Sequence, residues 1–322
     1  MNISYTVCSA NYLHYAKALG DSIIAYNSNI KFVIFLLDKY EIKNSSIFEK
    51  FDVIGVDDIW LPELEDMNKR YNIFELSCAL KPFAAQYIIS NYTNCEKLLY
   101  FDCDILVFNT LQNVLQKLDH FSILLTPHKV TYSNSLDKNV FETQFLGAGL
   151  FNAGFFAIKN NPSVIEFLDW WKIRLIHHCY CKPHIGLFVD QLWLNLVPIF
   201  FKDYAPFTDL GYNVAYWNIA ERGISKKNDV FYINENIPLT FFHFSGYAES
   251  TPHLLSKYAP DITFEKYPAT YDLFQFYVNK SNINYGEDFK NVKPYFGIIA
   301  PKTAVREQNF FKRKYKKWFK KN

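Results

Sequence analysis

The stretch "EKLLYFDCDILVFNT", Glu96 to Thr110, sets Asp102 and Asp104 one residue apart inside an otherwise apolar run. The segment "KLLYFDCDILVF" reads as a single strand, and a strand that runs into a core seldom carries a pair of carboxylates. In an extended chain, residues two apart share a face, so both side chains can meet one ligand. Two like charges this close repel each other, and a cation is their natural third party. Carboxylate oxygens suit hard ions such as magnesium or manganese. The same spacing also fits a pair of turn aspartates, and the pattern alone leaves both readings open. Cys103 between them is expected to point the other way, into the core.

Upstream, "ISYTVCSA" alternates and is rich in strand formers, which predicts a first strand. "NYLHYAKALGDSIIAYN" follows as a helix, with Tyr12, Tyr15, Leu19 and Ile23 near helical spacing and Asn11 as its cap. "KFVIFLLD", ending in Asp38, is a continuous apolar run of the kind found in buried parallel strands. "DVIGV", Asp52 to Val56, is a shorter one. "LSCALKPFAAQYIISNY" predicts a helix with Pro82 in its first turn, where proline is tolerated. Strands alternating with helices predict an α/β sheet. In such sheets ligands bind at the carboxyl ends of the strands, and both Cys8–Tyr12 and Asp102–Asp104 fall at such ends. Downstream, "FSILLTPH" and "GLFNAGFFAIKN" predict strands, and "KVTYSNSLDKNVFETQ" predicts a loop. "NPSVIEFLDWWKIRLIHHC" predicts an amphipathic helix capped by Asn161 and opened by Pro162.

A chain of 322 residues, half of them hydrophobic, can bury roughly 75% of its unfolded surface. A net charge of +2 argues against a polyanion binder. The six cysteines, at 8, 78, 95, 103, 179 and 181, show no framework spacing. No signal peptide is visible, and no apolar run is long enough to span a membrane. These features predict a cytoplasmic chain with reduced thiols. The basic segment "FFKRKYKKWFKKN", Phe310 to Asn322, interleaves aromatic and cationic residues. On a helix Phe311, Tyr315, Trp318 and Phe319 fall near one face, which suits a peripheral anchor on the anionic inner face of the cytoplasmic membrane. A solvated tail is the alternative, and nucleic-acid binding is not expected.

Other polar residues stand out against apolar surroundings. His243 in "FFHFSGY" is either a core histidine or the neutral ligand that completes an oxygen-rich site. Gly246 lets a ligand approach the backbone. Asp190 and Gln191 form a polar pair in the hydrophobic "GLFVDQLWLN", where burial without partners is costly. They serve either a ligand or a helix start. "CSANY", Cys8 to Tyr12, is either a base-reading or ribose-reading segment or an ordinary turn. "HHCYCKPH", His177 to His184, offers His177, His178, Cys179, Cys181 and His184 to zinc, but lacks the second spaced pair of structural zinc sites.

Taken in order, "CSANY", "ALKPF", "YFDCDILVF", "FNAGFFAIKN", "DQLWLN" and "HFSG" resemble the glycosyltransferases of family eight, the relatives of glycogenin and of bacterial lipopolysaccharide galactosyl- and glucosyltransferases. The resemblance spans about residues 3 to 250. It implies a GT-A fold, a Rossmann-like mixed sheet flanked by helices, over residues 1–260, with 261–322 as a helical extension ending in the basic tail. It implies retaining transfer of a hexose from a nucleotide-sugar, UDP-glucose or UDP-galactose, with Mn2+ or Mg2+ as cofactor. The acceptor would be a glycan or lipid-linked molecule in surface polysaccharide synthesis. By the same resemblance Asp102, Asp104 and His243 hold the metal. Cys8, Ser9, Ala10, Asn11, Lys81, Asp102, Cys103, Asn152, Ala153, Gly154 and Gly246 bind the donor, and Asp190 and Gln191 stand at the anomeric carbon. Two departures are visible. The family often follows its glycine with Lys-Pro-Trp, whose lysine serves the diphosphate, whereas "HFSGYAEST" has no lysine. Cys8-Ser9 replaces acidic or Thr residues. Two rivals predict different sequences. A nucleotidyltransferase needs a glycine-rich basic loop after the first strand, which "CSANYLHY" lacks. A non-catalytic glycan-binding or nucleotide-sugar-binding relative would have lost the Asp-Asp-His set.

Overall fold

The computed structural model describes residues 1–39, 45–132, 142–282 and 289–297. The basic tail, and part of the predicted loop "KVTYSNSLDKNVFETQ", lie outside them.

In chain order the strands are β1 (Asn2–Cys8), β2 (Ile30–Leu36), β3 (Asp52–Gly55), β4 (Lys97–Phe101), β5 (Ile105–Val107), β6 (Ile123–Pro127), β7 (Phe151–Lys159), β8 (Cys181–Lys182), β9 (Leu187–Phe188), β10 (Tyr204–Pro206), β11 (Ile224–Lys227), β12 (Val230–Ile233), β13 (Ile237–Pro238) and β14 (Phe241–His243). The α-helices are α1 (Leu13–Tyr26), α2 (Leu64–Arg70), α3 (Ile73–Asn91), α4 (Gln112–His120), α5 (Glu142–Ala148), α6 (Pro162–His178), α7 (Val197–Phe200) and α8 (Tyr271–Asn282). A seven-stranded mixed sheet runs β10-β6-β7-β4-β1-β2-β3. All its pairings are parallel except those of β7, which runs against both β4 and β6. The sheet is apolar on both faces because helices cover both. One core joins Tyr5, Tyr100 and Phe156 to Leu80 of α3 and Trp171 of α6. The other joins Phe32, Phe101 and Phe155 to Leu19 of α1 and Leu118 of α4. This is the expected α/β architecture, and the apolar runs were its signal.

The opening stretch departs from its reading in one respect. It forms two strands, with Asp102 to Asp104 as a turn between them. β4 stays in the large sheet, while β5 leaves it to pair antiparallel with β14, His243 standing opposite Ile105. Alternation within one strand therefore does not aim the carboxylates; the turn does. β14 also belongs to a third core, where Phe242 and Phe244 pack against Leu273, Phe274 and Tyr277 of α8. Residues beyond 260 thus share a core with the strand that carries His243.

Two local expectations also need correction. α3 begins at Ile73, so Pro82 lies in the middle of the helix and not in its first turn. Its start is set by Asn72, whose Oδ1 accepts from the Glu75 backbone N–H at 3.0 Å while Glu75 Oε2 accepts from the Asn72 N–H at 3.1 Å. This reciprocal pair is a capping box. Asn11 does not cap α1: its side chain accepts from Ser9 Oγ at 2.6 Å, and a short 3-10 turn, Ala10–Tyr12, intervenes. Asn161 does cap α6, accepting from the Val164 N–H at 3.0 Å, with Pro162 in the first turn.

Candidate active site

The turn between β4 and β5 is fixed from both sides. The Asp102 N–H donates to the Gly154 carbonyl on β7 at 2.8 Å, and the Phe244 N–H donates to the Asp104 carbonyl at 2.8 Å. The large sheet and the two-stranded sheet thereby hold one carboxylate each, and His243 arrives beside them on β14. Its Nε2 lies 3.1 Å from Asp104 Oδ1 and 3.9 Å from Asp102 Oδ2. One ligand atom from each of Asp102, Asp104 and His243 can be chosen so that all lie within 4.8 Å of one another. Two carboxylates and an imidazole nitrogen at this spacing fit a hard or borderline divalent cation.

Space for the imidazole comes from a glycine. A Cβ on Gly154 would sit 2.4 Å from Cε1 and 2.8 Å from Nδ1 of His243. The Trp217 ring stands edge-on to the imidazole at 5.2 Å. His243 is buried, which alone would lower its pKa, but the charges of Asp104 and then Asp102 outweigh that and raise it.

Lys81 lies behind the turn, 3% exposed. Its ammonium is 3.1 Å from Asp102 Oδ1 and 2.9 Å from Asp190 Oδ2, and it donates to the Ala153 carbonyl at 3.0 Å. Desolvation opposes its charge, yet Asp102 and Asp190 together keep its pKa well above the ordinary lysine value. Burial pushes the Asp102 pKa up, but Lys81, His243 and the Tyr100 hydroxyl, which donates to Oδ1 at 2.6 Å, bring it below the usual carboxylate range. Asp190, 1% exposed, is pushed up by desolvation that Lys81 only partly offsets.

Above these residues opens a cleft of about 290 Å³. Cys8, Ser9, Tyr12 and Tyr15 line one side, Phe74, Ser77 and Lys81 of α3 a second, and His243 to Tyr247 with Lys257, Tyr258 and Tyr277 the rest. Asp102 and Asp104 line it too, and so does Cys103, half-buried. Cys103 also packs against the core of Phe101 and Phe155, as expected, so it stands between core and cleft.

The other sequence candidates divide. Ala10 and Asn11 are not among the cleft-lining residues; the Ala10 N–H donates to Asp38 Oδ2 at 3.1 Å. Asn152, Ala153, Gly154, Asp190 and Gln191 are not among the cleft-lining residues either; Asp190, Ala153 and Gly154 stand behind Lys81 and His243, which are. Gln191 Oε1 accepts from Asn152 Nδ2 at 3.1 Å and from the Ala153 N–H at 3.0 Å, and its Nε2 donates to the Ala148 carbonyl at 3.0 Å. Asn152 Oδ1 in turn accepts from the Gly154 N–H and from Asn213 Nδ2, both at 3.1 Å. Gly246, at φ +71°, turns the chain at the cleft edge. The zinc set is not assembled: among the described residues only Asp102, Asp104 and His243 group as metal ligands, and buried Cys179 donates its thiol to the Glu75 carbonyl at 3.3 Å. Sequence reasoning missed Lys257, Tyr258 and Tyr277. Lys257 and Tyr258 lie in a segment without periodic apolar pattern, and the chain's return to Gly246 brings them to the cleft; Tyr277 lies on the apolar face of α8, where its spacing reads as core alone.

No family model matches the chain. It is similar to two Bacillus subtilis (strain 168) proteins, both described as uncharacterized. YfnF is 24% identical over 244 residues, 75% of this chain and 80% of that one. YfnD is 25% identical over 210 residues, 65% of each. Among solved structures, the galactosyltransferase LgtC, crystallised with donor and acceptor sugar analogs, matches at TM-score 0.52 and 15% identity, over 91% of this chain and 98% of that one. The bifunctional glycosyltransferase WbbM in its apo form matches at TM-score 0.50 and 15% identity, over 90% of this chain and 51% of that one. At such identities the likeness concerns architecture, and the chain has the mixed α/β fold of GT-A glycosyltransferases.

Proposed function

We propose that the chain is a metal-dependent retaining glycosyltransferase that moves a hexose from a nucleotide-sugar, UDP-glucose or UDP-galactose, to a glycan or lipid-linked acceptor in surface polysaccharide synthesis. The observation that carries this reading is the convergence of Asp102, Asp104 and His243 at the floor of a cleft at the carboxyl end of β4. Fold and site agree here, although a fold alone does not fix a function. The donor set suits Mn2+ or Mg2+, and such an ion, when bound, supplies charge neutralisation to the departing nucleoside diphosphate. The chain's own residues do the rest. Tyr100 and Lys81 hold Asp102 in one rotamer, so its free oxygen faces the cleft. Gln191 and Asn152 brace the β7 backbone against which His243 rests, and Asp190 fixes Lys81. Cys8 and Ser9 stand where a base or ribose would lie.

In the transfer, the bond between the anomeric carbon and the β-phosphate oxygen breaks and its electron pair goes to that oxygen. The acceptor hydroxyl oxygen forms the new bond on the same face, and its proton passes to the leaving diphosphate. Asp190 is buried behind Lys81, which favours this route over a covalent intermediate on its carboxylate. Placement in the cytoplasm, with the tail against an anionic membrane, would suit a lipid-linked acceptor. Among the described residues no helix is long and apolar enough to cross a membrane.

Asp104→Ala tests the reading. The backbone carbonyl that accepts from Phe244 survives the change, so circular dichroism should be unaltered. Transfer and donor hydrolysis should fall at least about a hundredfold, since charge stabilisation of this kind contributes several kcal/mol. Undiminished turnover in that variant, or in the wild type with excess chelator, would overturn the proposal.

A further inference from the structure

We infer that Phe145, on α5, is a gate: it fills the place against His128 and Trp217 that a hexose ring of the acceptor takes over during transfer. This rests on the nucleotide-sugar reading above, which sets the anomeric carbon beside Gln191. An acceptor hydroxyl must reach that carbon, yet the structure is shut there. His128, Asn152, Gln191, Asn213 and Trp217 are each at most 7% exposed, and none of them lines the cleft.

The element that shuts it is α5. Of its residues only Phe145 is buried, and the adjacent Leu146 is 73% exposed. The Phe145 ring stacks on the His128 imidazole, with centres 5.0 Å apart and planes at 12°. It shares a small apolar cluster with Ala215 and Trp217. Trp217 in turn stands edge-on to His128 at 5.4 Å and to His243 at 5.2 Å. Through Trp217 the plug adjoins the histidine of the proposed metal set. Two glycines close the helix. A Cβ on Gly147 would meet nothing within 4 Å, and Gly149 turns the chain at φ +128°, where a side chain would be strained. A hinge at these glycines withdraws Phe145 and gives up the bond from the Gly149 N–H to the Phe145 carbonyl, 2.8 Å. Gln191 keeps its hold on the Ala148 carbonyl at 3.0 Å.

The surroundings suit a sugar better than a benzene ring. Trp217 Nε1 and Asn213 Oδ1 are buried and find no hydrogen-bond partner among the described residues. Phe145 offers them none, and a buried donor or acceptor left unpaired is costly. Asn213 is tied into this wall by its Nδ2, which donates to Asn152 Oδ1 at 3.1 Å. A hexose ring matches a phenyl ring in size. It has an apolar face for an aromatic neighbour and a rim of hydroxyls that both donate and accept. Such a ring can take the stacking position of Phe145, accept from Trp217 and donate to Asn213. While Phe145 holds that position, it keeps water from the anomeric carbon, and displacement by the acceptor favours transfer over hydrolysis.

In hydrolysis water takes the acceptor's part. Its oxygen bonds to the anomeric carbon, its proton passes to the diphosphate, and the electron pair of the broken bond stays on the phosphate oxygen. The experiment measures hydrolysis of UDP-glucose and UDP-galactose with Mn2+ in wild type, Phe145→Ala and Phe145→Leu. It is repeated with methyl β-glucoside and methyl β-galactoside as probe acceptors, and each protein is titrated with UDP. Phe145→Ala should raise hydrolysis roughly tenfold, the gain from removing a closed state populated about nine-tenths of the time. The half-saturating glycoside concentration should fall by a similar factor. UDP affinity should not change, because Phe145 does not line the cleft. Phe145→Leu keeps a plug of similar bulk and should hydrolyse like wild type. Adding Trp217→Leu to Phe145→Ala should raise the half-saturating glycoside concentration about 2- to 10-fold, the worth of one aromatic contact. Unchanged hydrolysis in Phe145→Ala, with UDP affinity intact, would overturn the gate and leave the enzyme reading standing. Hydrolysis and UDP affinity that fall together would also overturn it, by assigning Phe145 a merely structural part. A glycoside response indifferent to Trp217→Leu would place the ring elsewhere. A wild-type protein that neither binds UDP nor hydrolyses either donor would overturn both readings.

Discussion

At the scale of single residues, the site depends on a hydrogen atom. Gly154 has no side chain, and the His243 ring fills the space where one would be. The His243 backbone is held by β14 pairing with β5, so the ring cannot back away without breaking that ladder. Gly154→Ala should therefore tilt the imidazole out of reach of Asp104 while leaving the backbone of β7 acceptable to alanine, because the φ there is not left-handed. Misplacing a ligand's orientation typically costs 10- to 100-fold in metal affinity, and about that loss is expected in a Mn2+ titration. Unchanged Mn2+ affinity in Gly154→Ala would remove His243 from the metal set. The glycine was legible in the sequence only through the resemblance. No local pattern tells that a residue on β7 will meet one on β14. Asp102 and Asp104 were legible because charge inside an apolar run is unusual in itself. Lys257 was not legible at all, since a surface lysine in an aperiodic segment looks like any other.

At the scale of elements, α3 shows how one strong signal can hide another. Proline at the start of a helix is common, and reading Pro82 that way moved the predicted start past "NIFE", the Asn-x-x-Glu pattern that opens the helix. The helix bears the proline because it is buried on several sides. An interior proline costs about 3 kcal/mol, whereas Leu76, Leu80 and Ile88, all fully buried, contribute roughly 1.5–3 kcal/mol each. The capping box has a measurable share of its own. Asn72→Ala should lower the unfolding free energy by about 1 kcal/mol in urea titrations, with an unchanged m-value if the unfolding stays two-state. Activity should fall little, because the first turn touches the cleft only through Ile73 and Phe74. A loss under about 0.3 kcal/mol would mean that water or another neighbour replaces the cap.

At the scale of the whole molecule, the large sheet was legible and the small one was not. β2 and β4 are covered on both faces, which writes continuous apolar runs into the chain. β5 and β14 are three residues each, too short for a period, and their pairing joins distant parts of the chain. A molecule with so much buried surface also buries histidines, and these set its response to acid. His14 and His128 are 2% and 5% exposed. Neither ring nitrogen of His14, and not Nδ1 of His128, finds a hydrogen-bond partner among the described residues. Burial lowers both pKa values from 6.5 to about 4; Lys290 adds to the effect at His14, while backbone groups at Leu150 and Gly149 oppose it at His128. The folded state therefore binds fewer protons than the unfolded chain between these limits. The stability from keeping the rings neutral is complete above pH 6.5 and is lost progressively as pH falls toward 4. Each histidine accounts for at most about 3 kcal/mol of that loss. Thermal unfolding followed from pH 7.5 down to 4.5 should show a falling midpoint, already under way before most carboxylates titrate. His14→Gln and His128→Gln should each flatten the fall, because glutamine takes up no proton in this range. If both variants follow the wild-type slope, the acid sensitivity arises elsewhere, and the two rings are protonated in the folded state as readily as in water.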